Sequence, residues 1–313
     1  MKKPLVSVFT CVYNRADKIH RVFSSINSQT YPNIEHIIID DGSTDNLTEL
    51  VNEYMRTAKY PVVFKSKTNG GKHTATNMAW DLAKGDYILQ LDSDDELLPH
   101  AVEYLVGLWN EIPNELIDEY WCVHGRCKTQ HCDNIVGDPY PEGINNLPFK
   151  QSYALAKCCK GDKVGLMKAE ILNEGGYRYP EPEHVKFVTE NVLWKQLNKK
   201  YRTYYSNEIV LRCYVNEGEC LSHPTKTKQT MSNLCWNHRW MIAHRKEYSC
   251  NLLQSIALYA IGYIFGTPKF KSKWNYFFIT YKEDFFVLCL LPIFYIGVLV
   301  CKPFIKRKLH IVD

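Results

Sequence analysis

Asp92-Ser93-Asp94 sets two carboxylates one residue apart, and Asp95 follows directly. Ionised carboxylates this close repel each other and need a cation or hydrogen-bond donors to offset the repulsion. Hard oxygen donors with open coordination positions suit Mg²⁺ or Mn²⁺ carrying a diphosphate. Asp40-Asp41-Gly42-Ser43 is a second acidic group, made of residues that also serve as turn formers. Cys122-Val123-His124-Gly125-Arg126-Cys127, followed by His131-Cys132, matches no common structural zinc spacing. Buried thiols on strands are expected there instead. His223 reads as a loop histidine.

The elements that must position these groups alternate. Residues 5–12 form a short apolar, β-branched run typical of a strand buried on both faces. Ile19, Val22, Phe23 and Ile26 recur at helical spacing within 15–29. A strand over 36–39 then ends in Asp40-Asp41, followed by a helix over 44–54 and a strand over 62–65. Gly70-Gly71 breaks the chain before a helix over 73–83, and the strand at 87–91 runs into Asp92. Such alternation implies right-handed crossovers and a parallel sheet with helices on both faces. Ligands bind such sheets beyond the carboxyl ends of the strands. Tyr13-Asn14-Arg15, Asp40-Asp41 and Asp92-Ser93-Asp94 therefore converge on one edge. Farther along, helices are expected over 99–109 and 187–197, and strands over 121–124 and 209–214.

The 313 residues are 45% hydrophobic and 23% charged, which excludes a wholly disordered chain. A mean hydropathy of −0.31 excludes a polytopic membrane protein. Charge is uneven: residues 226–313 hold 13 Lys+Arg against 4 Asp+Glu, and residues 1–225 hold 25 against 30. A basic tail on an acidic body points to an anionic surface. Two apolar stretches, 252–265 and 285–301, are separated by Lys269, Lys271 and Lys273. The second contains Pro292 and is followed by Lys302, Lys306, Arg307 and Lys308. Its 17 residues stand at the lower limit for a membrane span, and Trp274, Tyr276 and Tyr295 suit a headgroup layer. Twelve scattered cysteines and an opening apolar run of strand length without a cleavage site point to a reducing cytosol.

The run Pro4-Leu5-Val6-Ser7-Val8-Phe9-Thr10-Cys11-Val12-Tyr13-Asn14-Arg15 resembles the opening of family 2 glycosyltransferases of the GT-A fold. So do Ser28-Gln29-Thr30-Tyr31, Ile39-Asp40-Asp41-Gly42-Ser43-Thr44-Asp45, Asn77 after Gly70-Gly71-Lys72, and Gly85-Asp86-Tyr87-Ile88 leading to Asp92-Ser93-Asp94-Asp95. The resemblance is close over residues 4–110 and loose over 160–225. It implies an α/β, Rossmann-like, mostly parallel sheet flanked by helices over 1–225. Within it, about 1–110 would bind the nucleotide and 111–225 the acceptor. A basic, apolar helical extension would occupy 226–313, close to a membrane.

The resemblance also implies roles for residues. Tyr13 would lie against the nucleobase, with Thr10 and Cys11 beside it. Asp40 or Asp41 would accept the uracil N–H and help fix the ribose, and Lys72 would meet phosphate oxygens. Asp94, with Asp92 acting directly or through water or ribose, would ligate Mg²⁺ or Mn²⁺, and Ser93 would lie against the nucleotide. An inverting transfer needs a base for the acceptor hydroxyl. Where the family carries an acidic pair, this chain has Val188-Thr189-Glu190-Asn191, so Glu190 is the candidate. Glu181 and Glu183 are alternatives, and Thr189 and Glu190 also suit a helix N-terminus.

Arg239-Trp240 stands where processive members carry a Gln-x-x-Arg-Trp motif, but Trp236 replaces the glutamine. Transfer of a single sugar is therefore expected. The donor would be a nucleotide sugar, a UDP-sugar, and the acceptor a glycan or lipid-linked saccharide in surface polysaccharide synthesis. The enzyme would be cytoplasmic and peripheral on the cytoplasmic membrane face, with no nucleic-acid partner. The alternative is a non-catalytic nucleotide-sugar-binding or membrane scaffold protein, suggested by Asn191.

Overall fold

The computed structural model describes residues 3–130, 135–214, 228–244, 252–265, 285–303 and 305. Expectations at His131, Cys132, His223, Lys269, Lys271, Lys273, Trp274, Tyr276, Lys306, Arg307 and Lys308 lie outside these residues. The chain divides into two compact units: Met1–Arg178 with Gln196–Glu217, and Tyr179–Lys195 with Gly218–Asp313.

In the first unit, strands β1 (Val6–Val12), β2 (Ile34–Asp40), β3 (Val62–Ser66) and β4 (Tyr87–Gln90) run parallel. They alternate with helices α1 (His20–Asn27), α2 (Leu47–Thr57) and α3 (Lys72–Leu82). Every residue of β2 is buried, as a central strand covered on both faces requires. Val6, Val8, Val12 and Ile38 pack with Val22 and Ile26 of α1 and Val51 of α2. The alternate residues Phe9, Ile37, Ile39 and Ile88 are equally buried on the opposite face, where α3 packs on β1 and β2. The expected helix over 15–29 starts only at His20. Asn14 takes a positive φ of 50° and Asp45 Oδ2 accepts the Ala16 N–H at 2.9 Å, which holds residues 14–16 in a turn.

The second half of the sheet is mixed. With β5 (Glu96–Leu97), β6 (Tyr120–Thr129), β7 (Lys163–Lys168) and β8 (Arg202–Cys213), the order is β3-β2-β1-β4-β7-β6-β8-β5. β7 lies antiparallel to β4 and β6, and β6 and β8 pair in parallel. Strands β6 and β8 are longer than their apolar cores indicate, and β7, broken in pattern by Gly165, had no clear signal. Helices α4 (Ala101–Trp109), α5 (Phe149–Cys158) and α6 (Ala169–Glu174) complete this unit, and α7 (Asn191–Lys200) spans the point where the units divide.

The second unit holds α8 (Lys228–Ala243), α9 (Leu252–Phe265) and α10 (Phe285–Val300). Met231, Ala260, Ile264, Phe265 and Val298 form their shared core. A Cβ on Gly262 would come within 2.6 Å of Cys235 N and Met231 O, so glycine is what lets α9 lie against the α8 backbone. Among the described residues no helix is long and apolar enough to cross a membrane.

Candidate active site

The turns after β1 and β2 are fastened to each other. Asn14 N donates to Ser43 Oγ at 3.0 Å, and Thr44 N donates to Asn14 Oδ1 at 2.8 Å. Beyond this lock the Tyr13 side chain stands 49% exposed at the strand end. Asp40 and Asp41 are buried and committed to the protein. Asp40 accepts from Ser43 N at 2.7 Å and Ser66 Oγ at 2.8 Å. Asp41 Oδ1 accepts from Lys67 Nζ and Gly70 N, each at 2.9 Å, and its Oδ2 accepts from Gly71 N at 2.7 Å. Gly71 has a φ of +98°, a backbone conformation that favours glycine, and α3 begins at the next residue. Asp41 therefore shapes the loop that delivers Lys72.

Lys72 Nζ contacts both oxygens of Asp92, at 2.8 and 2.9 Å, and Gln90 Nε2 donates to Asp92 Oδ1 at 3.0 Å. Burial works against the charged form of Asp92, but the Lys72 ammonium and these hydrogen bonds outweigh it and hold the carboxyl below its usual range. Arg15 Nη1 donates to Asp94 Oδ2 at 3.2 Å. Asp95 accepts from Tyr214 N at 3.1 Å, and Arg21 stacks 3.8 Å over the Tyr214 ring. Burial, reinforced by the charges of Asp92 and Asp94, pushes the Asp95 carboxyl up to about 8. The loop thus gathers the carboxylates of Asp92, Asp94 and Asp95 at one strand end. That chemistry and its hard oxygen donors fit a divalent cation held by Asp94 and Asp92. Among the described residues no three His, Cys, Asp or Glu side chains form a closed metal cage.

Of the positions singled out in the sequence, Tyr13, Lys72, Asp92, Ser93 and Asp94 come together at the carboxyl ends of β1 and β4 or at the start of α3. Cys11 is partly buried beside Thr76, 3.8 Å away, and burial pushes its thiol up to about 12. The Thr10 hydroxyl does not face this edge. It is fully buried, 3.3 Å from His36 Nε2, whose Nδ1 lies 3.4 Å from the Tyr54 hydroxyl. Lys67 and Gln90 belong to the site but were not singled out, and Arg15 and Asp95 were named only within the strand-end motifs, without a role. For Arg15 the available signal was its place as the cation of the β1 turn, directly after Tyr13-Asn14. The cysteine-histidine cluster has no metal-binding arrangement among its described members. Cys122 and Cys127 are buried on β6, and His124 Nδ1 lies 3.2 Å from the Tyr140 hydroxyl.

In the second unit Glu190 is exposed directly before α7, and its carbonyl accepts from Leu193 N and Trp194 N, each at 3.0 Å. The expected helix over 187–197 begins late because α8 side chains satisfy the preceding backbone. Gln229 Nε2 donates to His184 O at 2.9 Å, Asn233 Oδ1 accepts from Lys186 N at 2.9 Å, and Asn237 Oδ1 accepts from Thr189 N at 2.9 Å. Asn237 Nδ2 also donates to Phe187 O at 3.0 Å. These three amides, four residues apart on one helix face, hold the segment that ends at Glu190. On α10, Phe294, Tyr295 and Val298 pack inward, while Ile293, Ile296 and Val300 are 65%, 60% and 75% exposed.

The pattern of glycosyl transferase family 2 matches residues 7–119. A chondroitin synthase of Pasteurella multocida is 46% identical over 101 residues, covering 32% of this chain and 10% of that one. Across the curated relatives it matches, the chain spans about 10% to 65% of their length. Staphylococcus aureus TarS, solved in complex with UDP-GlcNAc, superposes with a TM-score of 0.58 at 17% identity, covering 82% of this chain and 70% of that one. A Pyrobaculum calidifontis mannosyltransferase, in complex with GDP-Man and Mn²⁺, superposes with a TM-score of 0.53 at 16% identity, covering 96% and 87%. At these identities the structural likeness speaks for the fold, which is the GT-A arrangement.

Proposed function

This chain belongs to glycosyl transferase family 2, and from that premise we propose that it moves a single sugar from a UDP-sugar to a glycan or lipid-linked saccharide, with inversion, in surface polysaccharide synthesis. The observation that carries the reading is the edge where Lys72 meets Asp92, Arg15 meets Asp94 and Tyr13 stands exposed. Tyr13 offers a face for the base to stack on. Asp94 and Asp92 would hold Mg²⁺ or Mn²⁺, which supplies charge neutralisation for the departing nucleoside diphosphate. Lys72 adds a cation for phosphate oxygens. Glu190 takes the acceptor hydroxyl proton as the new bond to the anomeric carbon forms and the bond to the diphosphate oxygen breaks.

The likenesses to a UDP-GlcNAc-bound and a Mn²⁺-bound structure and to a chondroitin synthase support donor, metal and polymer class in this reading. We assign residues 1–225 to catalysis and 226–313 to a membrane-proximal extension. The exposed apolar face of α10 and the basic residues after it support peripheral contact with the cytoplasmic membrane face. The test pairs binding with turnover. UDP and Mn²⁺ should raise the melting temperature of both wild type and Glu190→Gln, while Glu190→Gln loses transfer by about 100-fold or more. Full transfer by Glu190→Gln refutes the base. Binding without transfer by wild type, over a panel of UDP-sugars and saccharide acceptors, would favour a nucleotide-sugar-binding scaffold.

A further inference from the structure

Strand β6 carries a buried charge that the donor edge does not use. Arg126 keeps 5% of its surface exposed. Its Nη2 donates to Gly137 O at 2.8 Å, and the enclosed Nε meets no acceptor among the described residues. Among those residues no carboxylate forms an ion pair with it. Buried charges are normally paired, and a guanidinium cannot shed its proton to escape the cost. The residue opposite it on β7 is a second cation, Lys163. Burial, and then the charge of Arg126, hold the Lys163 ammonium below its usual value, offset in part by Cys127, Cys159 and Asp138. Lys163 Nζ donates to Lys160 O at 2.9 Å and lies 5.3 Å over the Tyr140 ring. Asp138 turns its own carboxylate to Lys160 N at 3.0 Å.

The sheet register places this pair of cations. Leu89 of β4 lies opposite Leu166 of β7, and Lys163 lies opposite Arg126. Counting from the Leu89–Leu166 pair towards the carboxyl edge, Asp92 and Lys163 are equally far along. Leu89, Leu91, Val123, Val164 and Leu166 share one core cluster. By alternation Gln90, Lys163 and Arg126 therefore share the opposite face of the sheet. On that face Gln90 Nε2 donates to Asp92 Oδ1. Two strand spacings put Arg126 about 10 Å across the sheet from β4. That is beyond a diphosphate at Asp92 and Asp94, and within reach of a saccharide seated beside it.

We infer that Arg126, with Lys163, binds an oxyanion on the acceptor, either the carboxylate of an acidic sugar or the phosphate of a lipid-linked saccharide. The assignment to the acceptor rests on the nucleotide-sugar reading of the edge at Asp92. A planar guanidinium presents paired N–H groups that match two oxygens of either anion. The site is built from one chain crossing: a Cβ on Gly137 would come within 2.6 Å of Gly161 Cα. Carbonyls from this crossing, Gly137 O and Lys160 O, hold the two cations. Such fixed partial charges orient a cation without cancelling it, so the pair keeps a positive field for an anion.

The experiment measures binding of methyl glucoside, methyl glucuronide and glucose 1-phosphate to the full chain, with UDP and Mn²⁺ present to occupy the donor edge. Wild type should bind at least one anionic probe about 10-fold or more tightly than methyl glucoside. The glucuronide as the tighter ligand assigns an acidic sugar, and the phosphate assigns a phosphorylated acceptor. Arg126→Gln and the less buried Lys163→Gln should each cut the preference to about 3-fold or less, with UDP and Mn²⁺ bound as by wild type. Arg126→Lys, which keeps the charge but loses the fork, should fall between. No anion preference in a wild type that binds UDP overturns the inference. So does a preference that survives both substitutions while Arg126→Gln only melts earlier, since Arg126 would then merely pin the Gly137–Gly161 crossing. Should Arg126→Gln fail to fold, an unchanged preference in Lys163→Gln overturns the paired site and a reduced one supports it. A wild type that binds the anionic probe but not UDP with Mn²⁺ keeps the anion site and removes the donor reading.

Discussion

Replacing Asp41 by asparagine separates two jobs that one carboxylate could hold. Both its oxygens are used by the loop before α3: Oδ1 by Lys67 Nζ and Gly70 N, Oδ2 by Gly71 N. An asparagine keeps one acceptor and turns the other edge into a donor, so at least one glycine N–H faces an N–H in a buried site. Leaving one buried donor unsatisfied costs about 1–3 kcal/mol. Removing one partner of a buried ion pair costs about 3–5 kcal/mol, reduced here because Lys67 is 18% exposed and also bonds Thr68 O and Thr74 Oγ1. The combined expectation is a loss of about 3 kcal/mol, which at an m-value of about 3 kcal/mol/M moves the urea midpoint down by about 1 M. Urea unfolding without nucleotide, followed by the tryptophan fluorescence to which the buried Trp80 on α3 contributes, reads this. Donor affinity should fall as well, since the loop carries Lys72. A variant that loses nucleotide binding while its stability drops by less than about 1 kcal/mol would refute the reasoning, because the carboxylate would then be reserved for the ligand.

Two further outcomes follow from other parts of the molecule. Burial holds the fully enclosed His36 down at about 3, so the unfolded chain binds a proton that the folded chain refuses. Stability from this residue is complete above about pH 6.5 and falls by about 1.4 kcal/mol per pH unit as pH drops towards 3. Wild type should therefore lose stability between pH 6.5 and 4.5 more steeply than His36→Gln, by about 2.3 kcal/mol in total. Parallel curves in chemical denaturation would show that the imidazole titrates normally. On α10, changing Ile293, Ile296 and Val300 together to serine should weaken sedimentation with anionic lipid vesicles on the order of 100-fold. Unchanged partitioning would move the membrane contact elsewhere.

Much of the first half was legible because each piece is local. The residues of β1, β2 and β4 form apolar runs of strand length, each ended by polar residues, and a buried parallel strand needs nothing more to declare itself. The Asp92-Ser93-Asp94 spacing likewise advertises an electronegative loop without reference to any neighbour. Strand β7 was not legible, since Gly165 and its flanking lysines interrupt the pattern and its pairing with β4 and β6 is decided by distant residues. The late start of α7 depended on Asn233 and Asn237, more than 40 positions onward.

What the sequence determined by itself was which groups stand at the strand ends: Tyr13, Asp40-Asp41, Lys72 and Asp92 to Asp95. The partners of those groups were decided by the tertiary structure alone. Asp41 turned to the Gly70-Gly71 backbone, 29 and 30 positions away, and Arg15 turned to Asp94, 79 positions away. The physical reason is that an apolar period is written along the chain, whereas the charge that balances a carboxylate can come from any loop the sheet brings to the same edge. Residue type sets the charge and the hydrogen-bonding capacity; only the packing of β1, β2, β4 and α3 sets the distance over which they act.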